Sequence, residues 1–323
     1  MIRTEVLIVG GGPAGAACAW RLRRHGIDCL VLDSQPFPRI KLCAGWITPD
    51  VLEALELSPE AYPHGLITLT KLRLSVRGLV VKVPVRQMAI RRIEFDNWLL
   101  RRAEVPVETH HVRTVARRDG GYVVDGAYFS RYLVGAGGTH CPVARTFFEG
   151  ANPRSPDRLI VTQEEEFAYD RAPVQDTCYL WFFEDGLPGY AWYVPKAGGY
   201  VNVGVGGKAE TLKARGDGIQ RHWALLTAKL NRLGFVRDYD YHPKGHAYYL
   251  REAPRRLRLG NAFVVGDAAG LATRDMGEGI APAIKSGLLV ADAIAGDSDV
   301  NVGEIRAWSQ PRLIGRLLAA GYG

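Results

Sequence analysis

No run of the 323 residues approaches the ~20 apolar residues that a membrane-spanning helix needs. The apolar stretch 6–9 follows Arg3, but Gly10-Gly11-Gly12-Pro13 breaks it at once, so it is no signal-peptide core. The chain is expected to be soluble, or at most peripheral to a membrane. Cysteine is scarce: Cys18, Cys29, Cys43, Cys141 and Cys178 make five, with irregular spacing and no CxxC. That pattern argues against a disulfide framework or a metal site, and fits reduced thiols in a cytosolic compartment. No HExxH motif and no Ser–His–Asp order is present. His110 and His111 are adjacent, so on a strand they point to opposite faces and cannot form a simple metal pair. Internal repeats, low-complexity linkers and a second GxGxxG are also missing, so no dedicated NAD(P)H domain is expected.

What remains is an ordinary globular composition, 47% hydrophobic and 23% charged, which excludes disorder of the whole chain. The length suits two or three integrated lobes. The net charge of +7 gathers in short basic runs, such as Arg91-Arg92 and Arg255-Arg256, that read mostly as solvated surface. Without a basic tail or a nucleic-acid module, nucleic acid is not an expected partner.

The first segment reads strand, glycine turn, helix, strand, with the helix at 13–24 carrying small residues that can lie close on a sheet. Residues 67–90 alternate apolar and polar around Arg77-Gly78 and predict a hairpin. Helices are predicted near 49–57, 93–104, 217–233 and 279–295. Residues 157–206, rich in aromatic and β-branched side chains and punctuated by glycine, predict an antiparallel sheet. Glu164, Glu165 and Glu166 are expected to be a solvated part of it. The order predicts an α/β fold: a Rossmann-like dinucleotide-binding domain over 1–66, 91–156 and 255–323, interrupted by a sheet domain over 67–90 and 157–254.

Gly10-Gly11-Gly12-Pro13-Ala14-Gly15 fits G-x-G-x-x-G between a strand and a helix. Gly10 permits the tight turn, Gly12 lets backbone approach a pyrophosphate, and Gly15 allows close helix–strand contact. The helix that opens at Pro13-Ala14 presents the free N–H groups of its first turn, from Ala14 onward, to phosphate. Asp33, ending the second strand, suits ribose hydroxyls. A later cluster, Gly266-Asp267-Ala268-Ala269-Gly270, places Asp267 at a strand end. Gly277, Gly279 and Ile280 then open the last long helix, whose N-terminal partial positive charge suits an anionic cofactor.

The ordered set GGGPAG, RIKLCAG, RRIEFDNWL, LVGAGG, YAWYVPK, GDAAG and GEGI resembles the para-hydroxybenzoate hydroxylase superfamily of flavoproteins, and within it the geranylgeranyl reductase branch. The resemblance spans nearly the whole chain. It implies an FAD-binding domain with an inserted antiparallel substrate-binding domain. Gly10, Gly12, Gly15, Asp33, Arg92 and Asp267 match the family's cofactor positions. Arg39, Lys41, Cys43, Ala44 and Gly45 match a loop that approaches the isoalloxazine, where Cys43 is either a flavin-side reactive group or a small packing residue. Cys18 and Cys29, in an apolar helix and strand, are read as core. Tyr190 and Trp192 match aromatic positions that wall the substrate cavity, which Trp46 narrows. Tyr193 reads as sheet core, and Val194 departs from the aromatic usual there.

The resemblance implies an FAD-dependent oxidoreductase acting on an apolar substrate, an isoprenoid or polyketide-like molecule, with reduction of carbon–carbon double bonds as the leading expectation. A flavin monooxygenase (hydroxylase or epoxidase, less readily a halogenase) and a non-enzymatic flavin electron-relay protein stay open beside it. The reductant is expected from outside the chain, as NAD(P)H or a reduced electron-transfer protein. No proton donor is legible. Many family members continue past the last helix into a region covering the cavity. Its lack here predicts a more open pocket, a partner-supplied lid or a smaller substrate.

Overall fold

The computed structural model describes residues 1–170, 176–252 and 255–322. Parts of the stretch predicted as sheet, 171–175, and of the predicted boundary near 254 lie outside the described residues. The chain forms two compact units: Met1–Arg39, Phe95–Arg154 and Tyr249–Pro311 make the first, and Ile40–Glu94, Ser155–Tyr248 and Arg312–Gly323 the second.

The first unit is built on a parallel sheet. Strand Ile2–Val9 sits between Cys29–Asp33 and Tyr128–Gly135; Val107–Thr109 extends one side and Ala262–Val264 the other. Such strands are buried on both faces, which is why Cys29–Asp33 is an unbroken apolar run ending in one acid. Helix Pro13–Arg24 takes the predicted bounds, because Pro13 sits at its first turn, where a missing N–H is harmless. It packs against helix Ile280–Ala295 so closely that a Cβ on Gly287 would overlap the Ala14 carbonyl oxygen. Asp292 locks the pair by accepting from Arg21 and His25, both at 2.7 Å. His110 and His111 follow the short strand Val107–Thr109 rather than lying on it. His110 pairs with Asp125 at 2.7 Å. Among the basic runs, Arg255 is buried rather than solvated, donating to Pro153 and Glu252.

The second unit is an eight-stranded sheet in the order Lys244–Tyr249, Leu159–Ala168, Tyr200–Lys208, Gly189–Lys196, Thr177–Phe182, Ile67–Val76, Leu79–Ala89 and Trp46–Ile47. The predicted hairpin is Ile67–Val76 with Leu79–Ala89, turning at Arg77-Gly78. The sheet is not purely antiparallel, because Thr177–Phe182 runs parallel to Ile67–Val76. Strand alternation divides its side chains into two sets. Tyr193, Val201, Val203 and Val205 pack with Trp223, Leu226 and Leu230 of helix Ile219–Leu233. That leaves Tyr190, Trp192, Val194 and Lys196 on the other face, with Thr162, Glu164 and Glu166 beside them across Gly206, Gly204 and Asn202.

Candidate functional site

In the first unit the glycine turn and Asp33 form one cluster. Gly10 adopts φ +114°, a conformation open to glycine, and a Cβ there would overlap the Ala136 backbone. At Gly15 a Cβ would overlap the Gly10 carbonyl oxygen. Gly12 differs: a Cβ there meets nothing nearer than Arg39 Nη2 at 3.7 Å, so its outer side is open. No side chain caps the helix that begins at Pro13, which leaves the first-turn N–H groups of Ala14 and Gly15 as donors. Asp33 is buried, and its carboxylate accepts from Gly11 N at 2.8 Å and Gln35 N at 3.1 Å. Arg39 Nη2 lies 3.3 Å from the same carboxylate, while Arg39 Nε is buried with no hydrogen-bond partner. An open glycine, uncapped helix donors and an orphaned guanidinium N–H suit a pyrophosphate, and Asp33 at the strand end suits a ribose.

The later glycine cluster belongs to the same unit. Gly266 N donates to Ser286 Oγ at 3.0 Å, pinning the turn to the last long helix. Gly279 caps that helix without a side-chain hydrogen bond, and a Cβ on it would lie 3.4 Å from Asp267 Oδ1. Gly277 has φ +64°. Ile280 starts the helix and is buried. Arg154, which sequence reasoning missed, holds the turn from outside by donating to the carbonyls of Thr139, Asp267 and Ala268.

The remaining site candidates lie in the second unit: Lys41, Cys43, Ala44, Gly45, Arg92, Tyr190 and Trp192. Lys196, the last residue of YAWYVPK, is 2% exposed and donates to the carbonyls of Ala44, Gly45 and Ile90. Burial pushes its ammonium down to about 8. Gly45 has φ +60°, and a Cβ there would overlap the Ile90 carbonyl oxygen. Trp192 Nε1 donates to Asn202 Oδ1 at 2.7 Å, and Asn202 Nδ2 donates to the Cys43 carbonyl at 3.3 Å. The aromatic motif therefore anchors the cysteine loop through Lys196 and Asn202. Cys43 is half-buried, whereas Cys18, Cys29, Cys141 and Cys178 are buried with thiols that burial pushes up. Tyr190 stacks at a tilt between Phe182 and Trp192, with centroids 5.1 and 5.7 Å away. Trp46 pairs with Ala89 at the sheet edge, and its indole N–H is buried without a partner. Arg92 is buried in the first turn of helix Arg92–Arg102.

Glu164 corrects the sequence reading. Glu165 and Glu166 are half-buried, but Glu164 is 2% exposed, and its Oε2 is buried with no hydrogen-bond partner. Burial pushes its carboxyl up to about 8, against the pull of Lys41, Lys196 and Arg92. Among the described residues no cluster of His, Cys, Asp and Glu is arranged to hold a metal ion.

Residues 8–41 match the NAD(P)-binding Rossmann-like domain family. The menaquinone reductase of Mycobacterium tuberculosis is 28% identical over 319 residues, covering 90% of this chain and 76% of its own. The geranylgeranyl diphosphate reductase of a Synechocystis species is 26% identical, covering 91% and 76%. Among solved structures, a geranylgeranyl bacteriochlorophyll reductase-like protein of Thermoplasma acidophilum superposes with a TM-score of 0.80 at 18% identity, over 100% of this chain and 85% of that one. A flavin-dependent brominase shares the fold at a TM-score of 0.72 and 18% identity, over 98% and 84%. The chain is an FAD-dependent oxidoreductase on the Rossmann-like fold that these reductases and halogenases share. Both of these sequence relatives are named as reductases.

Asp33→Ala should weaken FAD retention by about 1.5–3 kcal/mol, since a carboxylate placed for ribose hydroxyls is lost. The Gly11 N–H also loses its acceptor, so the melting temperature should fall. FAD titration and a melt check both, and unchanged affinity would make Asp33 only a brace of the glycine turn.

Proposed function

We propose that the chain reduces a carbon–carbon double bond of an isoprenoid-type substrate. The observation that carries this reading is the apolar lining of the sheet face that does not pack on helix Ile219–Leu233. Tyr190, Trp192, Leu180 and Phe182 line it side by side, and the Trp192 indole lies over Gly204. Such a surface suits a long apolar chain better than a polar metabolite. The relatives named for reduction of geranylgeranyl diphosphate and of menaquinone support the same class.

Within this reading Gly12, Ala14, Gly15, Asp33, Arg39, Asp267, Gly279 and Ile280 hold FAD, which supplies hydride when reduced. Tyr190 and Trp192 position the substrate, and Lys196 and Asn202 fix the loop that carries Cys43. Reducing equivalents arrive from NAD(P)H or a reduced electron-transfer protein. Contact with a lipid surface fits the same reading: helix Arg312–Gly321 exposes Leu313, Ile314 and Leu317 beside Arg312 and Arg316.

The test is anaerobic. The FAD-loaded protein is reduced with dithionite and mixed with geranylgeranyl diphosphate or a prenylated quinone. The flavin absorbance should return as the product gains two hydrogens. Flavin that stays reduced until oxygen is admitted, with a product carrying an added oxygen atom, would replace the reading with a monooxygenase.

A further inference from the structure

We propose that the second unit docks on an anionic lipid bilayer through the tip of its Ile67–Val76/Leu79–Ala89 hairpin together with helix Arg312–Gly321. The proposal deepens the reductase reading above and rests on it for what the bilayer supplies, an isoprenoid substrate. Every residue it uses belongs to the second unit. The geometry begins with strand register. Tyr190 pairs with Phe182, Phe182 with Val76, and Val76 with Leu79. A second row runs through Trp192, Leu180, Leu74 and Val81. Directly paired residues share a sheet face, so the two rows form one apolar surface across four strands. Burial falls along it: Leu180 and Phe182 are each 1% exposed, Val81 is 47% exposed and Leu79 72%. The face that carries Tyr190 and Trp192 therefore runs out into solvent at the hairpin. Val80, on the opposite face, is as exposed as Val81, so the tip is apolar on both sides. A tip of that kind suits immersion in a fluid apolar phase better than a one-sided protein contact.

Helix Arg312–Gly321 reaches the same end of the sheet. A Cβ on Gly321 would overlap the Phe183 ring, and the Tyr322 ring stands edge-on to Phe183 with centroids 5.8 Å apart. On the hairpin side, Arg77 N donates to the Phe182 carbonyl at 3.2 Å. Both elements are thus tied to the Phe182-Phe183 pair. Leu313, Ile314 and Leu317 fall on one side of the helix, all exposed, with the exposed Arg312 and Arg316 alongside. A basic amphipathic helix of this pattern lies in the interface of a bilayer, its apolar side down and its cations at the headgroups.

Charge selects the occupant. Residues 66–90 hold Lys71, Arg73, Arg77, Lys82 and Arg86 and no acid; residues 311–322 hold Arg312 and Arg316 and no acid. Lys71 is taken up by Asp176 at 3.1 Å. Of the two acids that follow Phe183, Glu184 accepts from Ser75 and Lys229, and Asp185 offsets one more charge. The surplus stays positive, which matches an anionic headgroup layer. A second copy of the chain fits the surface less well. Trp46–Ile47 pairs with Met88 and Ala89 of the Leu79–Ala89 strand, and the length nearer the tip carries Lys82 and Pro84, which hinder edge-to-edge pairing.

The experiment floats the FAD-loaded protein with vesicles of phosphatidylcholine, either pure or mixed equally with phosphatidylglycerol. The parent should bind the mixed vesicles roughly tenfold or more tightly than the neutral ones, because each cation near the surface adds to the attraction. That preference should shrink as salt rises. Leu79→Glu combined with Leu317→Glu should keep FAD and the parent's melting temperature, since both side chains are exposed, and should weaken vesicle binding by roughly tenfold or more. Arg77→Glu combined with Arg316→Glu should lose the preference for mixed vesicles. A parent that binds neither vesicle, or the two equally, overturns the proposal, and so does unchanged binding by the Leu79→Glu/Leu317→Glu protein. A vesicle-free dimer that those two substitutions dissociate would also overturn it and give the surface to a second copy. Should the glutamate pair fail to fold, the charge-reversed pair and the parent's lipid preference decide. Flotation needs no turnover, so the reductase reading fails separately: a parent that floats with mixed vesicles yet is reoxidised by no prenyl substrate overturns that reading and leaves the docking surface in place.

Discussion

Lys196→Met is expected to lower the unfolding free energy of the chain by about 2–4 kcal/mol. The side chain it removes is buried and donates to three backbone carbonyls, those of Ala44, Gly45 and Ile90. Methionine fills a similar volume but donates nothing, so buried acceptors are left unsatisfied at about 1–3 kcal/mol each. Part of that loss is returned, because an ammonium forced down to about 8 was itself expensive to bury. Arginine should not rescue the site. Its planar fork is wider, and Gly45 already sits so close that a Cβ there would lie 2.5 Å from Lys196 Nζ. Urea unfolding of parent, Lys196→Met and Lys196→Arg gives the comparison. A midpoint unchanged in the methionine variant would mean that the loop stays in place without its anchor.

The second large effect separates the roles of Gly12 and Gly15 in the same turn. Gly15→Ala should lose FAD and stability together, because the new methyl would overlap the Gly10 carbonyl oxygen and crowd Ala136 Cβ at 3.1 Å. Overpacking against backbone of this kind costs about 3 kcal/mol. Gly12→Ala should fold as the parent does, since its Cβ meets only Arg39 Nη2 at 3.7 Å. It should nevertheless bind FAD at least tenfold more weakly, about 1.4 kcal/mol, because the methyl occupies the side where a pyrophosphate approaches. A Gly12→Ala protein that keeps full FAD affinity would show that the phosphates bind elsewhere.

Local structure was largely legible because its causes are local. Pro13 and the run of alanines set the first helix, and Arg77-Gly78 set the hairpin. The opposite facings of Tyr193 and Trp192 follow from strand alternation alone. The harder residues were those whose neighbours come from distant segments. Three successive glutamates look solvated until register places Glu164 against Gly204 and Trp192. Lys196 ended a motif already singled out, yet its partners lie about 150 and 106 residues away. Asn202 carries no motif at all. A period-two reading would have put Glu164 on one face of its strand and Lys196 on one face of another, but nothing in sequence says that the two faces are the same. Arg154 was hidden in the same way, because its acceptors are carbonyls on two separate turns.

The uneven burial of the cysteines gives the molecule a built-in reporter. Four thiols are sealed in the interior, while Cys43 remains half-accessible on the loop that Lys196 and Asn202 hold down. An alkylating dye added to the native protein therefore reads one address. The speed of labelling reports how far that loop shields its thiol, with no engineered residue and no need to know the substrate.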